Sequence, residues 1–162
     1  MVFLRFLLIG IFALLYFSGC ATKEYKKSEA KLIILKTPQI KFADTGYIRH
    51  NGDAVQLELY SGGQPIKRIE IGKLICVDDE GCLSKSSFNS DYLHKSYPDN
   101  LLLHVILGQT LFESENLIET NDGFEQKIRS KEYDISYKVN KNEIYFKDKK
   151  NHILIRFKTI LL

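Results

Sequence analysis

The 162-residue chain has little net charge: 23 Lys and Arg against 20 Asp and Glu leave a formal +3, with the signs interspersed. Without basic blocks, nucleic acid is not an expected partner. G-x-G-x-x-G and phosphate-loop signatures are missing too, which sets nucleotide chemistry aside. The four histidines, His50, His94, His104 and His152, stand singly. They lack the paired spacing of a metal site, so no metal or other cofactor is expected. Acids such as Asp44, Asp78, Asp79, Glu80, Asp122 and Asp148 fall near turns, where a solvated carboxylate is the ordinary reading. No serine has a His and Asp partner motif, and the chain reads as a non-enzyme. Internal repeats and low-complexity tracts are also missing. The one long apolar run, Phe6 to Phe17, falls short of the about 20 residues a spanning helix needs.

That run is nonetheless informative. Met1 to Gly19, MVFLRFLLIGIFALLYFSG, places one charge at Arg5, then apolar residues, then the small pair Ser18-Gly19. These are the proportions of a secretory signal, residues 1–19. The following cysteine makes FSGC resemble the bacterial lipobox, with Phe17 where leucine is more frequent. The resemblance implies that Cys20 takes a diacylglyceryl group, the signal is cut, and the new amino terminus is acylated. At about 0.8 kcal/mol per buried methylene, several acyl chains hold a protein on a membrane essentially permanently. Ala21 rather than Asp follows the cysteine, which resembles an outer-membrane address facing the periplasm. TKEYKKSEAK, Thr22 to Lys31, has no apolar period, so residues 20–31 read as a lipidated N-terminus and solvated tether. Its Lys23, Lys26 and Lys27 favour anionic head groups beside the anchor.

Residues 32–162 are long enough for one core, in a chain that is 44% hydrophobic and 27% charged. With Cys20 lipidated, Cys76 and Cys82 remain, in ICVDDEGC. An oxidising periplasm and a turn containing Asp78, Asp79 and Gly81 favour a disulfide over free thiols.

The dominant period of this domain is two. AVQLELY alternates Val55, Leu57 and Leu59 against Gln56 and Glu58, and YDISYKV alternates Tyr133, Ile135, Tyr137 and Val139 against Asp134, Ser136 and Lys138. LIILK, QIKFAD, RIEIG, GFEQKI, EIYFK and ILIRFK continue the pattern, with NKNE and DKKN as hairpin turns. The expectation is an antiparallel meander of about eight to ten strands. A helical insert at about 89–107 interrupts it. Asn89 or Ser90 is a candidate cap, Pro98 and Asp99 open a second helix, and Gly108 closes it. Leu101, Leu102, Val105 and Ile106 give that helix a broad apolar face, which must lie on the sheet. The fold class is therefore mainly β with a small helical insert. One insert covers too little of a flat sheet, so the sheet is expected to curl, its concave side lined by side chains and either filled or hollow.

The order of these features resembles LolB, the outer-membrane receptor for lipoproteins. LELYSGGQPIKRIEI is similar to the family's central hairpin, VDDEGC to the next turn, and LLLHVILGQTLF to the helix ending in glycine. GFEQKI, YDISYKV and EIYFKDKKNHILIRFK are similar to its last strands. The chain is shorter than typical members and lacks their tryptophans. The resemblance implies an unclosed antiparallel barrel of the LolA and LolB type. Such a protein accepts acyl chains of a lipoprotein cargo from a periplasmic carrier and releases them into the outer membrane, without covalent change. It implies a cavity lined by Leu57, Leu59, Leu101, Leu102, Val105 and Ile106. It also implies a membrane-engaging hairpin tip, where Gly62 and Gly63 fit the turn and Ile66 is the bulky apolar candidate. The alternative is an envelope-assembly or structural lipoprotein with a solid sheet and a protein partner.

Overall fold

Period-two alternation becomes eleven strands in the computed structural model, which describes residues 25–52 and 54–160. The signal and Cys20 lie outside the described residues. The strands are β1 (Lys27–Lys36), β2 (Lys41–His50), β3 (Val55–Ser61), β4 (Gln64–Ile71), β5 (Ile75–Val77) and β6 (Gly81–Leu83), then β7 (Leu117–Thr120), β8 (Gly123–Arg129), β9 (Asp134–Asn140), β10 (Glu143–Asp148) and β11 (Ile153–Thr159). They form one antiparallel sheet of order β6-β5-β4-β3-β2-β1-β11-β10-β9-β8-β7. Each strand pairs with its sequence neighbour except at one place, between β6 and β7. These are the two edges of the sheet, which does not close. The chain between them carries two short helices, α1 (Lys85–Tyr92) and α2 (Leu101–Leu107), and a 3-10 turn at Phe112–Ser114. The insert thus leaves from one free edge and returns to the other.

Alternate residues of the strands bury an inner face, and the insert covers it. Ile33, Leu57, Ile71, Ile135, Phe146 and Ile155 from six strands join Phe88, Leu101 and Val105 from the helices in one apolar cluster. A cramped point in the sheet is Gly123, where a Cβ would meet the Val139 carbonyl oxygen of β9 at 1.9 Å. Only glycine lets the β8 and β9 backbones approach that closely.

Three boundaries differ from the sequence reading. The sheet starts at Lys27 rather than Leu32, so Lys27 to Lys31 belong to β1, paired with residues from His50 to Gly46, and the tether is that much shorter. Apolar alternation fails there because the inner-face positions Glu29 and Lys31 are charged and bond each other at 3.0 Å. That ion pair holds the Glu29 carboxyl below its usual range. The first helix is capped by Ser84, whose Oγ accepts from the Ser87 N–H at 3.0 Å, not by Asn89 or Ser90. The second helix begins at Leu101, after a turn in which the Leu101 N–H donates to the Pro98 carbonyl, and ends as expected at Gly108 with φ of 65°. The strand β7 was not anticipated: its four residues are all exposed, so no alternation marks it.

Candidate functional site

The candidate site is the inner face and the insert that closes it. Leu57 and Leu59 rise from β3, while Leu101, Leu102, Val105 and Ile106 descend from α2. All six meet in the core cluster, buried, so the structure brings them together as filling. Burying one such side chain contributes about 1.5–3 kcal/mol, so the four from α2 hold the insert down with about 6–12 kcal/mol. Leu101 also stands at the wall of a cleft of about 440 Å³ between the start of α2 and the following turn, with Pro98, His104, Leu111 and Phe112.

Among the polar contacts that fasten the insert to the sheet, three were not anticipated from the sequence and involve buried or half-buried groups. The Tyr92 hydroxyl donates to Glu80 in the β5–β6 turn. The Tyr97 hydroxyl donates to Asp148 Oδ2 at 2.5 Å, inside the core. Asp148 is 0% exposed and also accepts the N–H groups of Asp134 (3.0 Å), Lys150 (2.9 Å) and Asn151 (3.3 Å) and the Asn151 side-chain amide (2.7 Å). Burial pushes its carboxyl up, but the hydrogen bonds outweigh that and hold it below the carboxylate range. Burial first, and then the bond to Asp148, pushes the Tyr97 hydroxyl far above its ordinary value. At the third point, buried Gln126 accepts from the Leu111 N–H at 2.8 Å and donates to the carbonyls of Leu111 (2.9 Å) and Glu115 (2.8 Å).

Gln126 brackets a strained strap. Phe112, Glu113, Ser114 and Asn116 all have left-handed backbone, with φ of 47°, 54°, 67° and 51°. Each costs a non-glycine residue roughly 1–2 kcal/mol. Within the insert, Asn89 donates to the carbonyls of Tyr97 (3.2 Å) and Pro98 (3.0 Å), while its buried Oδ1 has no partner among the described residues. The strap and the unpaired acceptor both raise the energy of the closed insert.

The remaining expected sites lie elsewhere. Cys76 and Cys82 are register partners on β5 and β6 and form a disulfide, which staples the edge hairpin. Gly62 and Gly63 have φ of 57° and 80°, the left-handed pair of a tight hairpin turn. Ile66 is 54% exposed, a projecting side chain and not part of the core. On the outer face the sheet is less open than its alternation implied. Glu58 is only 6% exposed, because Arg49 from β2 (2.6 Å) and Arg68 from β4 (3.4 Å) bond across it. Among the described residues no three His, Cys, Asp or Glu side chains gather as metal ligands, and no helix is long and apolar enough to cross a membrane. No protein-family profile matches the chain, and neither a curated protein nor a solved structure shows significant similarity to it.

Proposed function

We propose that this is a lipid-anchored acyl-chain receptor of the LolB type, held by Cys20 in the outer membrane and seen with its lid closed. One observation carries the reading: an unclosed sheet has its apolar face covered by a single insert that bridges the two free edges. In the closed state Leu101, Leu102, Val105 and Ile106 occupy the place an acyl chain takes. Lifting them into water is prohibitive by itself. A hydrocarbon that replaces them exchanges one apolar contact for another, so the incoming chain supplies most of the opening free energy. The cleft beside Leu101 and Phe112 is the natural entrance, because the strained strap and the Gln126 bracket lie there. No bond is made or broken in such a transfer. The exposed Ile66 beside the Gly62-Gly63 turn supplies the apolar contact with the membrane.

The filled interior favours a second reading, an envelope-assembly lipoprotein with a permanently solid sheet and a protein partner. Uptake separates the two. A chain starting at residue 20 with Cys20→Ser keeps the whole core, which lies between Ile33 and Phe157. The receptor binds a fluorescent acylated peptide saturably, and Tyr97→Phe, which loosens the lid, binds it more tightly. If neither protein takes up the peptide, and lipoproteins reach the outer membrane in cells depleted of this protein, the solid scaffold is the correct account. For the anchor, Cys20→Ala leaves uncleaved precursor; mature-sized, membrane-bound product from that variant contradicts lipidation at Cys20.

A further inference from the structure

The outer face carries a feature that neither the lid nor the anchor uses. Reading across the sheet from β8 to β2, successive register partners are Lys127, Ser136, Lys147, Leu154, Lys36 and Lys41. Register partners in antiparallel strands point to the same side, and here it is the side opposite buried Leu35 and Ile155. Four of the six are lysines, all exposed, in a row about 24 Å long at the usual strand spacing.

This row lacks the compensation found next to it. One step along the strands, Lys138 bonds Glu125 at 2.7 Å, and further on Arg156 bonds Glu143. None of Lys36, Lys41, Lys127 and Lys147 makes an ion pair or side-chain hydrogen bond with a described residue. Lys36 and Lys41 even face each other directly, an arrangement that destabilises a sheet. The adjoining β10–β11 turn adds the exposed Lys149 and, with its ammonium on the Lys131 carbonyl, Lys150.

An apolar groove opens beside Lys36 and Lys41. It measures about 780 Å³, within the range of small-molecule sites, and runs round the end of the sheet, from Lys36, Lys41 and Ala43 on the outer face past Pro38, Asn151 and His152 to the buried Thr37 and Phe42. Cations without partners next to an apolar trough match one chemistry, an acyl chain under an anionic head group.

We propose that this end of the outer face is a docking surface for an anionic phospholipid bilayer, with head-group phosphates on the lysine row and one acyl chain in the groove. The site is independent of the lipid on Cys20. It also fixes an orientation. Lys36 stands nine residues along β1 from Lys27, about 30 Å, so the row lies at the opposite end of the strand from where the chain enters the sheet. The outer face then lies along the membrane and the insert faces the aqueous side, open to cargo.

The test uses the chain from residue 20 with Cys20→Ser, sedimented with vesicles of phosphatidylglycerol and phosphatidylcholine in equal parts, or of phosphatidylcholine alone. Binding is expected to the first and not the second, and to weaken as salt is raised. Replacing Lys36 and Lys41 together by Gln weakens it about 25-fold, from a contribution of roughly fivefold per lysine. Lys138→Gln, whose cation is already paired, leaves it nearly unchanged. Equal binding to both vesicles, or undiminished binding by the double variant, overturns the docking surface. Ala43→Trp fills the groove and reduces affinity for the mixed vesicles; unchanged affinity overturns the acyl chain's place there. Competition by single-stranded RNA at equal phosphate concentration that strips the protein from vesicles identifies a general polyanion site and overturns the lipid assignment.

Discussion

Replacing Tyr97 by phenylalanine removes one oxygen from the centre of the molecule and nothing else. The ring stays packed edge-on against Phe146, with centroids 6.1 Å apart, and tilted against Tyr133. What disappears is the 2.5 Å bond to Asp148, a carboxylate that keeps four of its five donors. A hydrogen bond to a charged group contributes about 1.5–3 kcal/mol, and with four donors remaining the loss falls at the lower end, about 1.5–2 kcal/mol. Urea unfolding measures it as a lower midpoint at constant slope. The pH dependence has two limbs of opposite sign. Asp148 titrates below its unfolded value of about 3.9, so its contribution is complete above that pH and drains as pH falls through the folded value. Tyr97 titrates above its unfolded value of about 10, so its contribution is complete below pH 10 and drains as pH rises further. In Tyr97→Phe both limbs become shallower: the alkaline loss goes with the hydroxyl, and the Asp148 carboxyl, with one donor fewer, lies closer to its unfolded value, so less stability drains as the pH falls. Hydrogen exchange then quickens across residues 84–116 while β1 and β11 stay protected. A variant as stable as the parent, or one whose exchange quickens uniformly, refutes the latch.

The strap and the edge give three more outcomes. Glu113→Gly relieves an exposed left-handed residue and raises the unfolding free energy by about 1 kcal/mol, a gain read in urea. Gln126→Leu strands one backbone N–H and two carbonyls and costs about 2–4 kcal/mol, with faster proteolysis between Leu111 and Asn116 as its local sign. Cys76→Ser with Cys82→Ser opens a bridge across a sequence separation of 6, worth about 2 kcal/mol in the chain-entropy account. Unreduced parent protein weighs two hydrogens less than reduced, and the double variant shows no such difference.

Where one face of a strand meets the core and the other meets water, alternation gave the element directly, as in β9 and β11. It failed where charges occupy inner positions, as Glu29 and Lys31 do, and where both faces are exposed, as in β7. It also misjudged Glu58, because two arginines from neighbouring strands bury it and nothing local announces them. The six apolar residues chosen for the interior do meet, since apolar faces of a helix and a strand have only each other to cover. Whether they enclose space or fill it depends on side-chain volumes summed across the sheet, which no single segment encodes. The latches were hidden for a related reason. Tyr97 and Asp148 are 51 residues apart; Asp148 reads alone as an ordinary turn acid, and nothing near Tyr97 in the chain marks it as its partner.

The lengths of the lid helices decide what opening means. α1 has 8 residues and α2 has 7, while isolated helices shorter than about 12–15 residues are marginal in water. Neither keeps its shape once its apolar side leaves the sheet: α1 exposes Phe88 and Tyr92, and α2 loses the burial of four aliphatic residues. Opening in the proposed receptor is therefore a local unfolding of residues 84–116 and not the swing of a rigid flap. The unfolded insert regains backbone entropy, which lowers the cost of opening below that of the lost burial alone. In the proposed receptor the differential affinity of a bound acyl chain for the open state supplies most of what is left. Cargo release in the proposed receptor is the same exchange in reverse: as the hydrocarbon leaves for the bilayer, the insert refolds and Leu101, Leu102, Val105 and Ile106 return to the inner face.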